Sequence, residues 1–176
     1  IGLGMANYES SQTSLPGGIK GCCWGTWVVF VLPYMEQTST FNCWNFNGDN
    51  STNPAAVAGG STNAILRYSG AANTTVSQNL FTVYLCPSDK ATKPLSNIPA
   101  YNYAANFGNT TFYQSATYGT GAAAVAFLKA PFSDLWPTTA VNGGPKGYTV
   151  SQSGVVALSA ISDGTSNTML VSEVLK

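Results

Sequence analysis

Seven acidic side chains, four cysteines and no histidine are what this chain of 176 residues has for chemistry. Without an imidazole, neither a Ser–His nor a Cys–His nucleophile pair can be built. The carboxylates are Glu9, Glu36, Asp49, Asp89, Asp134, Asp163 and Glu173. Glycoside hydrolysis needs two such groups flanking one bond, and none of the seven sits in a recognisable motif for it. Asp89 follows Cys86-Pro87-Ser88, and Asp163 precedes Gly164. Both are turn signatures in which a carboxylate caps backbone donors. Asp163, Thr165 and Asn167 offer alternating oxygens, a faint echo of a calcium loop, but no acidic residue follows within the loop. The expectation is therefore no enzyme and no cofactor, with calcium the weakest of the candidates and a hydrolase a remote third function.

Cys22, Cys23, Cys43 and Cys86 form no Cys-x-x-Cys pair, and no histidine is present to complete a zinc site. The spacing for covalent haem attachment is also absent. In a chain of export-like composition, four cysteines predict two disulfides with three connectivities open. A vicinal Cys22–Cys23 bridge would be strained, so each of that pair is expected to reach Cys43 or Cys86. Free buried thiols are the alternative. Asn-x-Ser/Thr triplets begin at Asn50, Asn73 and Asn109, all in expected loops, and are candidate glycan acceptors. Sugars on Ser or Thr hydroxyls are equally open.

The surface that must carry these groups is short of charge. Apolar residues make up 44% of the chain, a normal share that supports a buried core. Charged residues are only 8%, against about 25% in an average domain. Seven basic residues cancel seven acidic ones. Such a surface lacks the self-repulsion that keeps molecules apart, which suits a subunit stacked on copies of itself. No basic patch exists to neutralise phosphates, so nucleic acid is excluded as a partner. The longest apolar run, Trp27 to Leu32, ends at Pro33 and is far short of the roughly 20 residues of a spanning helix.

The elements follow from pattern. Ile1 to Gln12 reads as the last turns of a helix already under way, with Ile1, Met5 and Tyr8 on one face, which implies residues upstream of Ile1. Leu15-Pro16-Gly17-Gly18 is expected to end it. Residues 1–14 are thus the end of an N-terminal helix and 15–176 a globular head, one domain overall. Trp24 to Leu32 is β-branched and aromatic, as in a strand, yet Pro33 is well placed as a first helical residue. Segment 24–44 stays open between the two. Asn47 to Gly60 reads as loop, and Thr62 caps a short helix over 63–68. Strands are predicted over Leu80–Leu85 and Tyr101–Phe107, with 108–124 a surface insertion. Val155–Ile161 and Thr168–Val174 are predicted as paired strands joined at the Asp163-Gly164 turn.

Five segments in order carry a resemblance. They are Ile1-Gly2-Leu3-Gly4-Met5-Ala6-Asn7-Tyr8-Glu9 with Leu15-Pro16; Trp24-Gly25-Thr26-Trp27 leading to Leu32-Pro33-Tyr34-Met35-Glu36-Gln37; Leu85-Cys86-Pro87-Ser88-Asp89; Tyr101-Asn102-Tyr103; and Asp163-Gly164-Thr165-Ser166-Asn167-Thr168-Met169-Leu170-Val171-Ser172-Glu173. Together they resemble the DUF1559 family of type IV pilin-like proteins, abundant in planctomycetes and also labelled a bacterial solute-binding family. The resemblance tilts 24–44 towards helix. It marks Pro33, Pro87, Asp89, Asp163, Gly164 and Asn167 as structural turn residues. It implies an α+β, type IV pilin-like fold, with an N-terminal helix on an antiparallel β-sheet head with long loops. The family's leader, long apolar helix and His-containing tail are not within this sequence.

The implied function is a structural subunit of an extracellular filament or surface assembly. It would partner with copies of itself and touch the membrane only through a helix upstream of Ile1. The alternative is an extracellular solute- or glycan-binding module using exposed Trp and Tyr platforms.

Overall fold

The first helix, α1 (Gly2–Gln12), stops at Thr13, whose left-handed φ of 57° lets its N–H donate back to Glu9 O at 2.7 Å. The helix thus ends at Gln12 as expected, closed by a left-handed residue before Pro16 is reached. One side of α1 is buried at Gly4 and Met5, while Leu3 is 75% exposed. Gly4 is required by a close approach. A Cβ there would run into Met35 Sδ and lie 3.1 Å from Val31 Cγ1. One turn on, Tyr8 meets Tyr34 edge to face at 5.1 Å.

This computed structural model describes residues 1–21, 24–47, 65–95, 97–110, 114–135 and 152–175. The open question over 24–44 resolves as helix. Three short pieces follow one another: α2 (Trp27–Phe30), a 3-10 turn over Leu32–Met35 with Pro33 in its first turn, and α3 (Thr38–Phe41). Trp27, Val29, Val31 and Leu32 are all buried, so the run is enclosed on more than one side and its burial does not select strand over helix. Pro33 needs no N–H in the opening turn, as expected.

Tyr84 lies at the centre of the core. It is fully buried, with ring centroids 5.6 Å from Trp27, 6.2 Å from Phe81 and 5.3 Å from Tyr101. Its hydroxyl donates to Val28 O at 3.1 Å, so no buried polar atom is left over on the ring. Met5, Val31, Leu32, Val76 and Phe132 close the same cluster.

The fold is mixed α+β. The described residues form three separate antiparallel pairs rather than one continuous sheet. β1 (Thr92–Leu95) pairs with β2 (Ile98–Ala100), β4 (Thr117–Tyr118) with β5 (Val125–Ala126), and β3 (Tyr103–Ala105) with β6 (Val171–Glu173). Two sequence expectations are corrected. Leu80–Leu85 is not a strand. Thr82–Tyr84 is a 3-10 turn, because Phe81 and Tyr84 are buried three residues apart while Val83 faces out. The hairpin between Val155–Ile161 and Thr168–Val174 does not form. Leu158–Ala160 is a 3-10 turn, and β6 pairs with β3 in the register Ala104↔Ser172. The 108–124 insertion is exposed over 115–124 apart from half-buried Ser115, but it holds β4, and Gln114 at its base is buried. The short helix over 63–68 falls partly outside the described residues, as does its cap, Thr62.

Candidate functional site

Two of the motif segments, and Val174 just past the end of a third, are brought to one point by Asn102, which is fully buried. Its side-chain Oδ1 accepts from Cys86 N at 3.0 Å. Its Nδ2 donates to Asp89 Oδ2 at 2.6 Å and to Val174 O at 3.1 Å. Its backbone completes the set, donating to Tyr84 O at 3.0 Å and accepting from Val174 N at 2.6 Å. Every polar atom of the residue is thus used, as burial demands. The Cys-Pro-Ser-Asp turn closes on itself as well, with Asp89 N donating to Cys86 O at 3.1 Å and Lys90 N donating to Asp89 Oδ1 at 2.7 Å. Asp89 therefore caps backbone and amide donors, as its turn position predicts. Pro87 is exposed, leaving the turn's outer edge in water.

The turn that opens the Asp163 segment does not join this point. Asp163, Gly164 and Asn167 are exposed. Gly164 has φ 85°, a backbone region only glycine enters freely, and Asn167 Nδ2 donates to Asp163 O at 3.1 Å. The turn is real, but it leads from a 3-10 segment into β6 rather than between paired strands.

The candidate acids are spread apart. Asp134 accepts from Gly21 N at 2.8 Å and bridges Ile19 to Ser153. Glu36 is exposed in a left-handed cap. Asp49 lies outside the described residues. Glu9 and Glu173 do border one groove, of about 510 Å³, between α1 and β6. Its other walls are mainly apolar, among them Ile1, Met5, Leu15, Tyr103 and Val171. No cluster of three or more His, Cys, Asp or Glu among the described residues could hold a metal ion.

No disulfide is formed among the described residues. Cys43 and Cys86 are free thiols, and Cys22 and Cys23 lie outside the described residues. Cys43 is exposed and its thiol donates to Ser39 O at 3.4 Å along α3, while Cys86 is fixed in the Asn102 turn. The pairing expected of Cys22 and Cys23 falls outside the described residues.

The expectation for Asn73 is corrected. It is fully buried, with Nδ2 donating to Leu66 O at 2.8 Å and Oδ1 accepting from Asn45 N at 2.7 Å. A glycan cannot be attached to an amide so enclosed. Asn109 is exposed, although its amide donates to Ala126 O at 2.9 Å and accepts from Leu128 N at 3.0 Å. Asn50 lies outside the described residues. The exposed tryptophan platforms are also absent among the described residues: Trp24, Trp27 and Trp44 are 2%, 5% and 6% exposed, and Trp136 is not described.

A family model described as "Protein of unknown function (DUF1559)" (SBP_bac_10) matches residues 1–176. The chain belongs to the DUF1559 family. No curated protein and no solved structure matches it. The segments that carry membership have distinct jobs in this DUF1559 chain. Leu85–Asp89, Tyr101–Tyr103 and Ser172–Val174 interlock at Asn102. Gly4 and Leu32–Met35 seat α1 on the head.

Sequence reasoning reached Asn102 only as the middle of a Tyr-Asn-Tyr segment. Its signal was an amide between two aromatic residues in an expected strand, a polar side chain placed where burial would force it to find partners. Gly4 carried a weaker signal, a glycine inside a helix where Ala would be the better helix former.

Proposed function

We propose that this chain is the head, with the lower end of the stem helix, of a structural subunit in an extracellular pilin-like filament or surface assembly. The observation that carries the reading is the seating of α1. The helix is anchored on one side by Gly4 and Met5, presents Leu3 to solvent on another, and borders an apolar groove of about 510 Å³. Exposed apolar side chains continue at Met169 (61%) and Leu175 (93%). Burying such surface between copies releases about 25 cal/mol per Å². The absence of net charge removes the repulsion that would oppose it. Export, partnership with copies of itself, and the lack of a catalytic role belong to the same proposal.

The test is made on the native cell surface. The full-length gene is expressed in its own host, and sheared surface material is imaged by electron microscopy with antibody raised against the head. Labelled filaments or a regular surface array are expected. A Leu3→Asp variant, changed at a solvent-facing position, should leave the head folded and abolish the labelled assemblies. Monodisperse single molecules from the wild-type gene would refute the proposal, as would unaltered assemblies from Leu3→Asp.

A further inference from the structure

With charged residues at only 8%, an unpaired charge beside exposed apolar surface is informative. Lys20 Nζ donates to Phe46 O and Lys93 Nζ to Gln78 O, and Arg67 and Lys90 are engaged as well. Among the described basic side chains, Lys129 alone has no hydrogen bond or ion pair. It stands next to Leu128, which is 76% exposed, just past β5. The two are held firmly from behind. Phe127 N donates to Ala116 O at 2.9 Å, and Leu128 N donates to Asn109 Oδ1 at 3.0 Å. Gln152 clamps Ala130, its Oε1 accepting from Ala130 N at 3.0 Å and its Nε2 donating to Ala130 O at 2.7 Å. Lys129 itself has a φ of 73°, a backbone region that costs free energy for a residue with a side chain. Leu128 and Lys129 thus form a fixed knob, an apolar tip with a cation beside it.

The groove of about 510 Å³ beside α1 has the opposite character. No Lys or Arg lines it, and the Glu9 and Glu173 carboxylates on its border have no partner among the described residues. Asp89 and Asp134, by contrast, are taken up by amides of their own chain. We infer that the Leu128–Lys129 knob of one copy docks in this groove of a second copy, the leucine on the apolar walls and the ammonium facing Glu9 and Glu173. The pairing rests on the proposed partnership between copies and names the two surfaces that meet. Size agrees with it. A cavity of about 150 Å³ takes a benzene ring, so the groove admits a leucine together with a lysine stem. Charge agrees as well, since three unpaired charges become complementary across the contact. A purely apolar occupant, such as a lipid chain, would leave both carboxylates unmatched. Knob and groove are different patches, so every copy carries both and the contact can repeat. One knob is a small contact. Separate heads should pair only weakly, at about the millimolar level, and hold firmly where assembly raises their local concentration.

The test is sedimentation equilibrium of the whole chain up to about 1 mM, where a contact of this strength registers. The wild type should self-associate. Leu128→Asp should weaken the association at least about tenfold, the scale of one leucine lost from an apolar contact. Lys129→Glu alone, and Glu9→Lys with Glu173→Lys, should each abolish it. An equimolar mixture of those two charge-reversed variants should associate again, because a reversed knob then meets a reversed groove. All four positions are exposed or half-buried, so urea midpoints should stay near that of the wild type. Lys129→Gln, a milder change, should weaken the association several-fold. The docking is refuted by a wild-type chain that stays monomeric at about 1 mM, which would leave the groove to an occupant other than a second copy. It is refuted equally by charge-reversed variants that associate as the wild type does, or by a mixture of folded variants that does not associate. The assembly proposal fails separately. Cell-surface assemblies that persist unchanged with Leu128→Asp and Lys129→Glu would sink the docking alone. Their absence from the wild type, with knob and groove still pairing in solution, would sink the assembly alone.

Discussion

Replacing Asn102 by alanine should be among the more damaging single-amide changes at the described residues. The substitution removes three side-chain hydrogen bonds, from Cys86 N and to Asp89 Oδ2 and Val174 O. Two of them are neutral, at about 1 kcal/mol each, and one involves a carboxylate, at about 1.5–3 kcal/mol. The cavity left in a fully buried site and the stranded Cys86 N–H work in the same direction. The expected loss is therefore about 3–5 kcal/mol, in the upper range for single substitutions. With a urea slope of about 2 kcal/mol/M, the midpoint should fall by about 2 M. Urea titration followed by tryptophan fluorescence reads it directly. Asp89→Ala should cost less, because Asp89 is only half-buried. The double variant should fall short of the sum of the single effects by about 1–2 kcal/mol, the coupling expected of direct partners. An Asn102→Ala loss below about 1 kcal/mol, or strict additivity with Asp89→Ala, would refute the account of this residue as the junction of three segments.

Three further outcomes are expected. Burial raises the ionisation of the Tyr84, Tyr101 and Tyr8 hydroxyls above their ordinary value of 10.0. The unfolded chain then gives up these protons first, so stability is full below pH 10 and falls as pH rises beyond it. Thermal melts from pH 8 to 12 should show a plateau and then a decline, and a melting temperature indifferent to this range would count against the buried phenols. Alkylation of the native chain without reductant should modify Cys43 quickly and Cys86 more slowly, because the first is exposed and the second half-buried. Protection of both from the reagent until reduction would restore the disulfide expectation. Gly18→Ala would place a Cβ against the Phe107 ring and 3.1 Å from Phe132 Cβ, so overpacking of about 1–3 kcal/mol should appear in the same urea titration.

Much of the helical part was legible in the residues themselves. Ile1–Gln12 carries a helical stripe, and Pro33 marks the opening of a turn that needs no N–H. The strands were less legible, because the deciding contacts are distant. Val155–Ile161 has the composition of a strand, yet Leu15 N donates to Val156 O at 2.7 Å and the run finds no ladder. Phe81–Tyr84 looks like a strand by residue type, but burial at a spacing of three turns it into a 3-10 segment. Local preference proposes an element, and the partner that arrives from elsewhere in the chain decides it. The same holds for the site. The turn at Asp89 was readable from Cys-Pro-Ser-Asp, whereas the enclosure of Asn73 arises from neighbours no local window contains. The cysteine pairing was not legible for a related reason: composition speaks of compartment, not of where each thiol comes to rest.

The reach of the Asn102 amide has a consequence for how the molecule matures. It ties to a backbone carbonyl 72 positions away and to a carboxylate 13 positions away. Long loops are slow to close, and pairings of this kind delay folding. Until Val174 has emerged from the ribosome, the turn at Cys86 and the strand at Tyr103 lack their mate, so this junction stays open while the 72 positions between are made. On the proposed export route, such slackness would let the chain thread a pore and draw this stitch tight on the far side.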